Sequence, residues 1–257
     1  MLSKILKGFL YGVAVIPLVI FSQYISPFHF GKVVIFRSLI ELALVLYVML
    51  VLQNRSYLPR RNLIFWGFLS FALAFSLTTI TSVQVYESFW GTLERMGGLW
   101  TFWHYFIYFV ILVSVMRTEK DWFNFLRFAV FIGVLSAFYG FLQKTDLSLI
   151  VGSGNRTRIF GTIGNAALFA GYQIVNMFLS FTLYFRSQNT NHQKNFFVVV
   201  GVINFLAIMM TAVRGSILGT GMGFLVFAFL YAWTFHSAKA KKALICLVIL
   251  AGLFFVF

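Results

Sequence analysis

Two arginine–glycine boxes, Arg158-Ile159-Phe160-Gly161 and Arg214-Gly215-Ser216, each sit at the end of a long apolar run. A guanidinium at the edge of hydrocarbon is costly, so it either snorkels to the headgroups or meets an anion. Its planar fork suits phosphate oxygens, and two such groups on one side of a membrane can clamp a phosphate-bearing lipid. In the stretch Gly154-Asn155-Arg156-Thr157-Arg158, the glycine lets backbone approach a ligand. Asn165 stands where it can cap the next helix, whose start favours anions. The alternative is a flexible loop whose Arg156 and Arg158 touch lipid headgroups. Around Arg214 the flanking apolar runs are separated by almost nothing, which leaves little loop to carry the charge away. Here the choice is between a ligand contact and a snorkelling interfacial side chain. Gly215, Gly219 and Gly223 recur at i+4 and read as a helix-packing stripe.

A third group is Glu94-Arg95-Met96-Gly97-Gly98-Leu99-Trp100. Glu94 can accept a proton from a hydroxyl or pair with a neighbouring arginine. His104, early in the aromatic run that follows, reads as a hydrogen-bonded structural residue. Arg37 and Glu41 lie one helical turn apart and read as a self-neutralising pair, with donor binding by Arg37 the alternative. His29, His192 and His236 show no ligand spacing, and the sequence has no Asp-x-Asp pair, His/Cys cluster or Walker-type loop. Neither a metal site nor a cofactor is expected.

The elements that carry these residues follow from composition. The 257 residues are 61% hydrophobic and 10% charged, against roughly 25% charged in soluble domains. Apolar stretches of about 20 residues recur, each long enough for a helical span, while the period-two alternation of an outer-membrane barrel is absent. The expected fold class is all-α: one polytopic helical membrane domain over residues 1–257. About nine transmembrane helices are expected, near 8–25, 33–52, 63–80, 99–116, 123–142, 165–185, 196–213, 215–235 and 243–257. The net charge of +14 lies in short loops and forms no stripe for nucleic acid. Lys4, Lys7, Arg55, Arg60, Arg61, Arg117, Lys120, Arg186, Lys194, Lys239, Lys241 and Lys242 fall on one face. Lys32, Arg95, Lys144, Arg156, Arg158 and Arg214 fall on the other. The richer face is expected to be cytoplasmic, with the N-terminus inside and an uncleaved first span. The outer loops at 81–98 and 143–164 are longer than topology requires, and the first carries the interfacial pair Phe89-Trp90. Cys246 is the sole cysteine, so no disulfide forms within the chain. Because residue 257 falls inside an apolar run, a truncated chain is expected.

The succession Glu94-Arg95-Met96-Gly97-Gly98-Leu99, Arg158-Ile159-Phe160-Gly161-Thr162-Ile163-Gly164-Asn165 and Arg214-Gly215-Ser216-Ile217-Leu218-Gly219 resembles the bacterial O-antigen ligase/polymerase superfamily. That resemblance implies a multi-pass protein of the bacterial inner membrane and an inverting, metal-independent glycosyl transfer at the periplasmic face. The implied donor is an undecaprenyl-diphosphate-linked glycan; the acceptor is lipid A-core, a growing polysaccharide or a protein. It also implies that Arg158 and Arg214 bind the donor's diphosphate; from the residues themselves, Arg156, Arg95, Asn165 and Arg37 are further candidate binding residues. The resemblance implies a histidine base in a large periplasmic loop beyond residue 257; among the residues present, Glu94 is the alternative. The chain departs from the family pattern at Asn165-Ala166-Ala167, where Asn-Pro-Asn is common, and at Val213-Arg214, where Ser-Arg is common. The rival expectations are a small-anion transporter, bicarbonate-like in substrate, with arginines lining a pore, and a non-catalytic envelope-assembly scaffold.

Overall fold

A computed structural model describes residues 1–24, 26–154, 157–186 and 190–235, with side chains through residue 230. Nine α-helices follow one another among these residues: α1 Leu2–Val15, α2 Phe30–Gln53, α3 Leu63–Ile80, α4 Val85–Trp90, α5 Leu99–Val115, α6 Glu119–Leu142, α7 Ala166–Tyr184, α8 Asn191–Met210 and α9 Arg214–Phe235. No strand occurs among the described residues. Five helices, α2, α3, α6, α7 and α8, are long and apolar enough to cross a membrane, while α5 and 214–230 of α9 are shorter apolar helices. This is the makeup of a multi-pass membrane protein. The expected span at 243–257 lies outside the described residues.

The ends of the helices follow local chemistry. Asn62 accepts from the Phe65 amide to start α3, and capping boxes of Thr118 with Asp121 and Thr190 with Gln193 start α6 and α8. The expected first span at 8–25 needs correction. Helix α1 stops at Val15, a single 3-10 turn carrying Pro17 runs to Leu18, and the described residues of 19–29 form turns. Proline lacks the amide that would continue the ladder. The released segment folds back over one end of the bundle.

Two sets of helices share α6. Leu6 and Leu10 of α1 pack with Ala43 and Tyr47 of α2, Ile111 of α5 and Phe125 of α6. Val130 of α6 packs with Leu183 of α7 and with Phe197 and Val200 of α8. Helix α9 leans on α7 through Phe178 and Phe224, whose ring centroids lie 5.6 Å apart. Of the glycine stripe on α9, Gly223 alone approaches a neighbour: an added Cβ would stand 2.7 Å from the Phe178 ring, whereas Gly215 and Gly219 face open space.

Hydrogen bonds sort the helix ends into two groups. At one end Lys7 pairs with Asp121, and Arg117 donates to Ser56. At the other end the loops that carry the arginine boxes meet.

Between α7 and α8, Asn204 is fully buried, and neither atom of its amide finds a partner among the described residues. An enclosed amide without partners keeps its desolvation cost, on the order of 1–3 kcal/mol. Asn204→Leu should therefore raise the thermal unfolding midpoint of the detergent-solubilised protein. A lowered midpoint would show that the amide is bonded after all.

Candidate functional site: the arginine end of the bundle

The loop between α6 and α7 is organised by one buried side chain. Gln143 is fully buried at the end of α6. Its Nε2 donates to the carbonyls of Val151 (3.2 Å) and Gly161 (3.1 Å), while its Oε1 accepts from the amides of Phe160 (3.0 Å) and Gly161 (2.9 Å). A single amide thus satisfies four backbone groups from two stretches of loop. Tyr139 adds an acceptor for the Val151 amide at 2.9 Å, and Lys144 Nζ reaches the Thr157 carbonyl at 2.9 Å. Gly161 has φ +53°, and a Cβ there would stand 2.3 Å from the Phe169 ring, so both conformation and space require glycine.

Ile159 then plugs the loop into the bundle. It is fully buried in a cluster with Ala137, Phe169 and Ala207, and its amide donates to the Met210 carbonyl at 3.2 Å. With Ile159 fixed, the neighbouring Arg158 side chain is directed to the turn between α8 and α9. Its Nε donates to the Thr211 carbonyl (3.1 Å), and an Nη2 hydrogen goes to Ala212 (3.0 Å). Arg214 follows Ala212 by two residues, about 7 Å of backbone at most. The two arginine boxes therefore meet at one place. Both side chains are exposed, and Arg214 makes no hydrogen bond or ion pair among the described residues.

The segment after α1 closes over this loop. Lys32, in the first turn of α2, donates to the Thr162 carbonyl, and Thr162 Oγ1 bonds Ser136 Oγ of α6 at 2.6 Å. Phe28 meets Phe160 edge-on at 5.4 Å. Phe28 also lies over Gly164, where a Cβ would stand 2.4 Å from its own Cβ. Asn165 caps α7, its Oδ1 accepting from the amides of Ala167 (2.9 Å) and Leu168 (3.2 Å). That oxygen is thereby committed to the helix start.

The Glu94–Gly98 turn is held from below. The expected Arg37–Glu41 pair does not form. Arg37, buried in α2, donates instead to Thr101 Oγ1 (3.0 Å) and to the Met96 carbonyl (2.9 Å). Glu41 turns to His104, whose Nε2 lies 3.1 Å from its carboxylate while Nδ1 bonds the Trp100 carbonyl at 2.7 Å. Helix α5 offers each partner a fixed acceptor or donor, which outcompetes a flexible pair along one helix face. Arg37 thus positions a turn and does not face the open end. The structural reading of His104 agrees with these bonds.

Among the described residues, Met96 (φ 48°) and Ala212 (φ 50°) are the two non-glycine residues with positive φ. Each would cost on the order of 1–3 kcal/mol unless its surroundings over-determine it. Each has its carbonyl held by an arginine, Met96 by Arg37 and Ala212 by Arg158. The two strained turns precede Gly97 and Arg214, and so set the backbone of two of the three sequence boxes.

Glu94 is exposed and lines a cavity of about 380 Å³ with Tyr24, Ser26, Phe30 and Leu93. Arg95 lies on a separate surface groove with Glu87, Gly97 and Gly98. Neither residue forms an ion pair among the described residues, and no hydrogen bond there joins them to Arg158 or Arg214. The link between the two regions is indirect, through His29, Lys32 and Phe28. Burial lowers the pKa of His29, helped by the positive charges of Lys32 and Arg95. The nearby carboxylate of Glu94 works the other way and raises it. Arg156 lies outside the described residues. Among the described residues no group of three or more His, Cys, Asp or Glu side chains is placed to hold a metal ion.

Sequence reasoning named both arginines but missed Gln143, Lys32 and the 19–29 segment. A glutamine at the end of an apolar run and a lysine beside one carry no distinctive spacing. No protein-family model, curated protein or solved structure matches the chain.

Proposed function

We propose that the chain is a membrane glycosyltransferase of the O-antigen ligase/polymerase type. It moves a glycan from an undecaprenyl-diphosphate carrier to an acceptor hydroxyl on lipid A-core, a growing polysaccharide or a protein. In this reading the arginine end of the bundle faces the periplasm, and the bundle lies in the bacterial inner membrane. The observation that carries the proposal is the grip of Arg158 on Ala212, two residues before Arg214.

The chemistry is a displacement at the anomeric carbon. The acceptor oxygen forms the new glycosidic bond as the bond to the diphosphate breaks, with inversion. Negative charge then grows on the departing diphosphate, and fixed guanidinium groups stabilise it without reorganising. Arg158 has N–H groups left beyond those on Thr211 and Ala212. Arg214 begins a helix with no acidic residue in its first turn, so the cation and the positive end of the helix dipole repel each other. A bound diphosphate relieves both at once. The acceptor proton passes to a general base, for which Glu94, exposed on its cavity, is the candidate among the described residues.

The test is reconstitution in proteoliposomes with a lipid-linked glycan donor and a matching acceptor. The proposal expects donor-dependent glycan transfer. Bicarbonate flux in the absence of any donor, without transfer, would replace it with the transporter reading.

A further inference from the structure

Arg127 is a charge that the loop arginines conceal. It sits on α6, eight residues after Glu119, about 12 Å along the axis. It lies within a helix long and apolar enough to span a membrane. Its side chain is exposed, with the guanidinium 5.8 Å from the centre of the Phe123 ring. An ionised group inside a span calls for a partner. The carboxylates nearest in sequence are Glu119 and Asp121, and Asp121 is tied to Lys7 and to the Thr118 capping box. No acidic side chain pairs with Arg127 among the described residues.

Beside Arg127 a groove of about 550 Å³ opens between α1, α6 and α8. Its polar members are Asn124, Arg127, His192 and Gln193, and its walls include Tyr11, Phe131 and Phe196. Helical side chains point back toward the N-terminus, so Arg127 reaches toward the start of α6. His192, in the first turn of α8, lines the same groove. The groove thus has a cationic, hydrogen-bonding mouth at the helix starts and an aromatic floor that continues along two candidate spans. We propose that it binds an anionic phospholipid, with the phosphate on Arg127 and His192 and an acyl chain along Phe131 and Phe196. The site lies at the bundle end opposite the arginine boxes and does not depend on glycan transfer.

Native mass spectrometry of the full chain, with phosphatidylglycerol or phosphatidylcholine of matched chains, reads the preference directly. Phosphatidylglycerol should be retained over phosphatidylcholine. Arg127→Gln should weaken that retention about tenfold, and Arg127→Lys should recover part of it, as a point charge replaces a fork. A second readout leaves the arginine in place: in Phe196→Trp, phosphatidylglycerol with brominated chains should quench the added fluorescence more strongly than brominated phosphatidylcholine. Equal retention of the two lipids, equal quenching, or an unchanged preference in folded Arg127→Gln would overturn the proposal. Displacement of phosphatidylglycerol by inorganic phosphate alone would do the same, because it would make the groove a free-anion site.

Discussion

Arg214→Ala should lower glycan transfer by roughly 10²–10³-fold, the loss that follows removal of one preorganised charge donor from a developing anion. The fall should appear in kcat more than in KM, because the leaving diphosphate gains charge only as the bond breaks. A structural explanation predicts a different pattern. Arg214 is exposed and makes no hydrogen bond or ion pair among the described residues, so its removal breaks no protein contact. Taking a cation from the positive end of α9 should even favour the fold slightly, by about 0.3–1 kcal/mol. The thermal midpoint should therefore hold or rise while turnover collapses. Arg158→Ala cannot separate the two effects, since that guanidinium also holds the Thr211 and Ala212 carbonyls. Full turnover in a folded Arg214→Ala protein would end the diphosphate assignment.

Gln143→Leu should produce the largest loss of stability at this end of the bundle. Leucine fills similar space but abandons the carbonyls of Val151 and Gly161 and the amides of Phe160 and Gly161. A buried backbone group left unpaired costs about 1–3 kcal/mol. Relaxation of the loop recovers some of the four, and a net loss of about 4 kcal/mol remains the expectation. The readouts are a depressed thermal midpoint and rapid proteolytic cleavage within 144–164. Gln143→Glu should be milder, because a carboxylate oxygen still accepts from the two amides. An unchanged midpoint in the leucine variant would mean that Ile159 and Lys32 hold the loop without it.

The two arginine boxes were legible because charge next to hydrocarbon is conspicuous and their order along the chain is regular. Their supports were not. Gln143 is one polar residue at a helix end, and its role depends on backbone groups up to 18 residues away that only the folded loop brings to it. Arg37 and Glu41 were misread because helical spacing shows what neighbours along one helix, while α5 and the turn before it supplied Thr101, His104 and Met96 from more than 50 positions further on. The first helix was drawn too long because apolar composition outweighed the proline at its end. Arg127 escaped notice because the apolar residues around it made its helix read as an ordinary span. In each case composition indicated that a segment was helical or polar, and the partner was decided by tertiary packing.

The bond from Lys32 to Thr162 joins residues 130 positions apart. At about 5–20 residues per second, synthesis delivers the acceptor on the order of ten seconds after the donor. During that interval a lysine at the head of α2 lacks the carbonyl that it meets in the finished fold. The arginine end of this bundle therefore closes only after the loop between α6 and α7 has been made, and the head of α2 must wait for that partner.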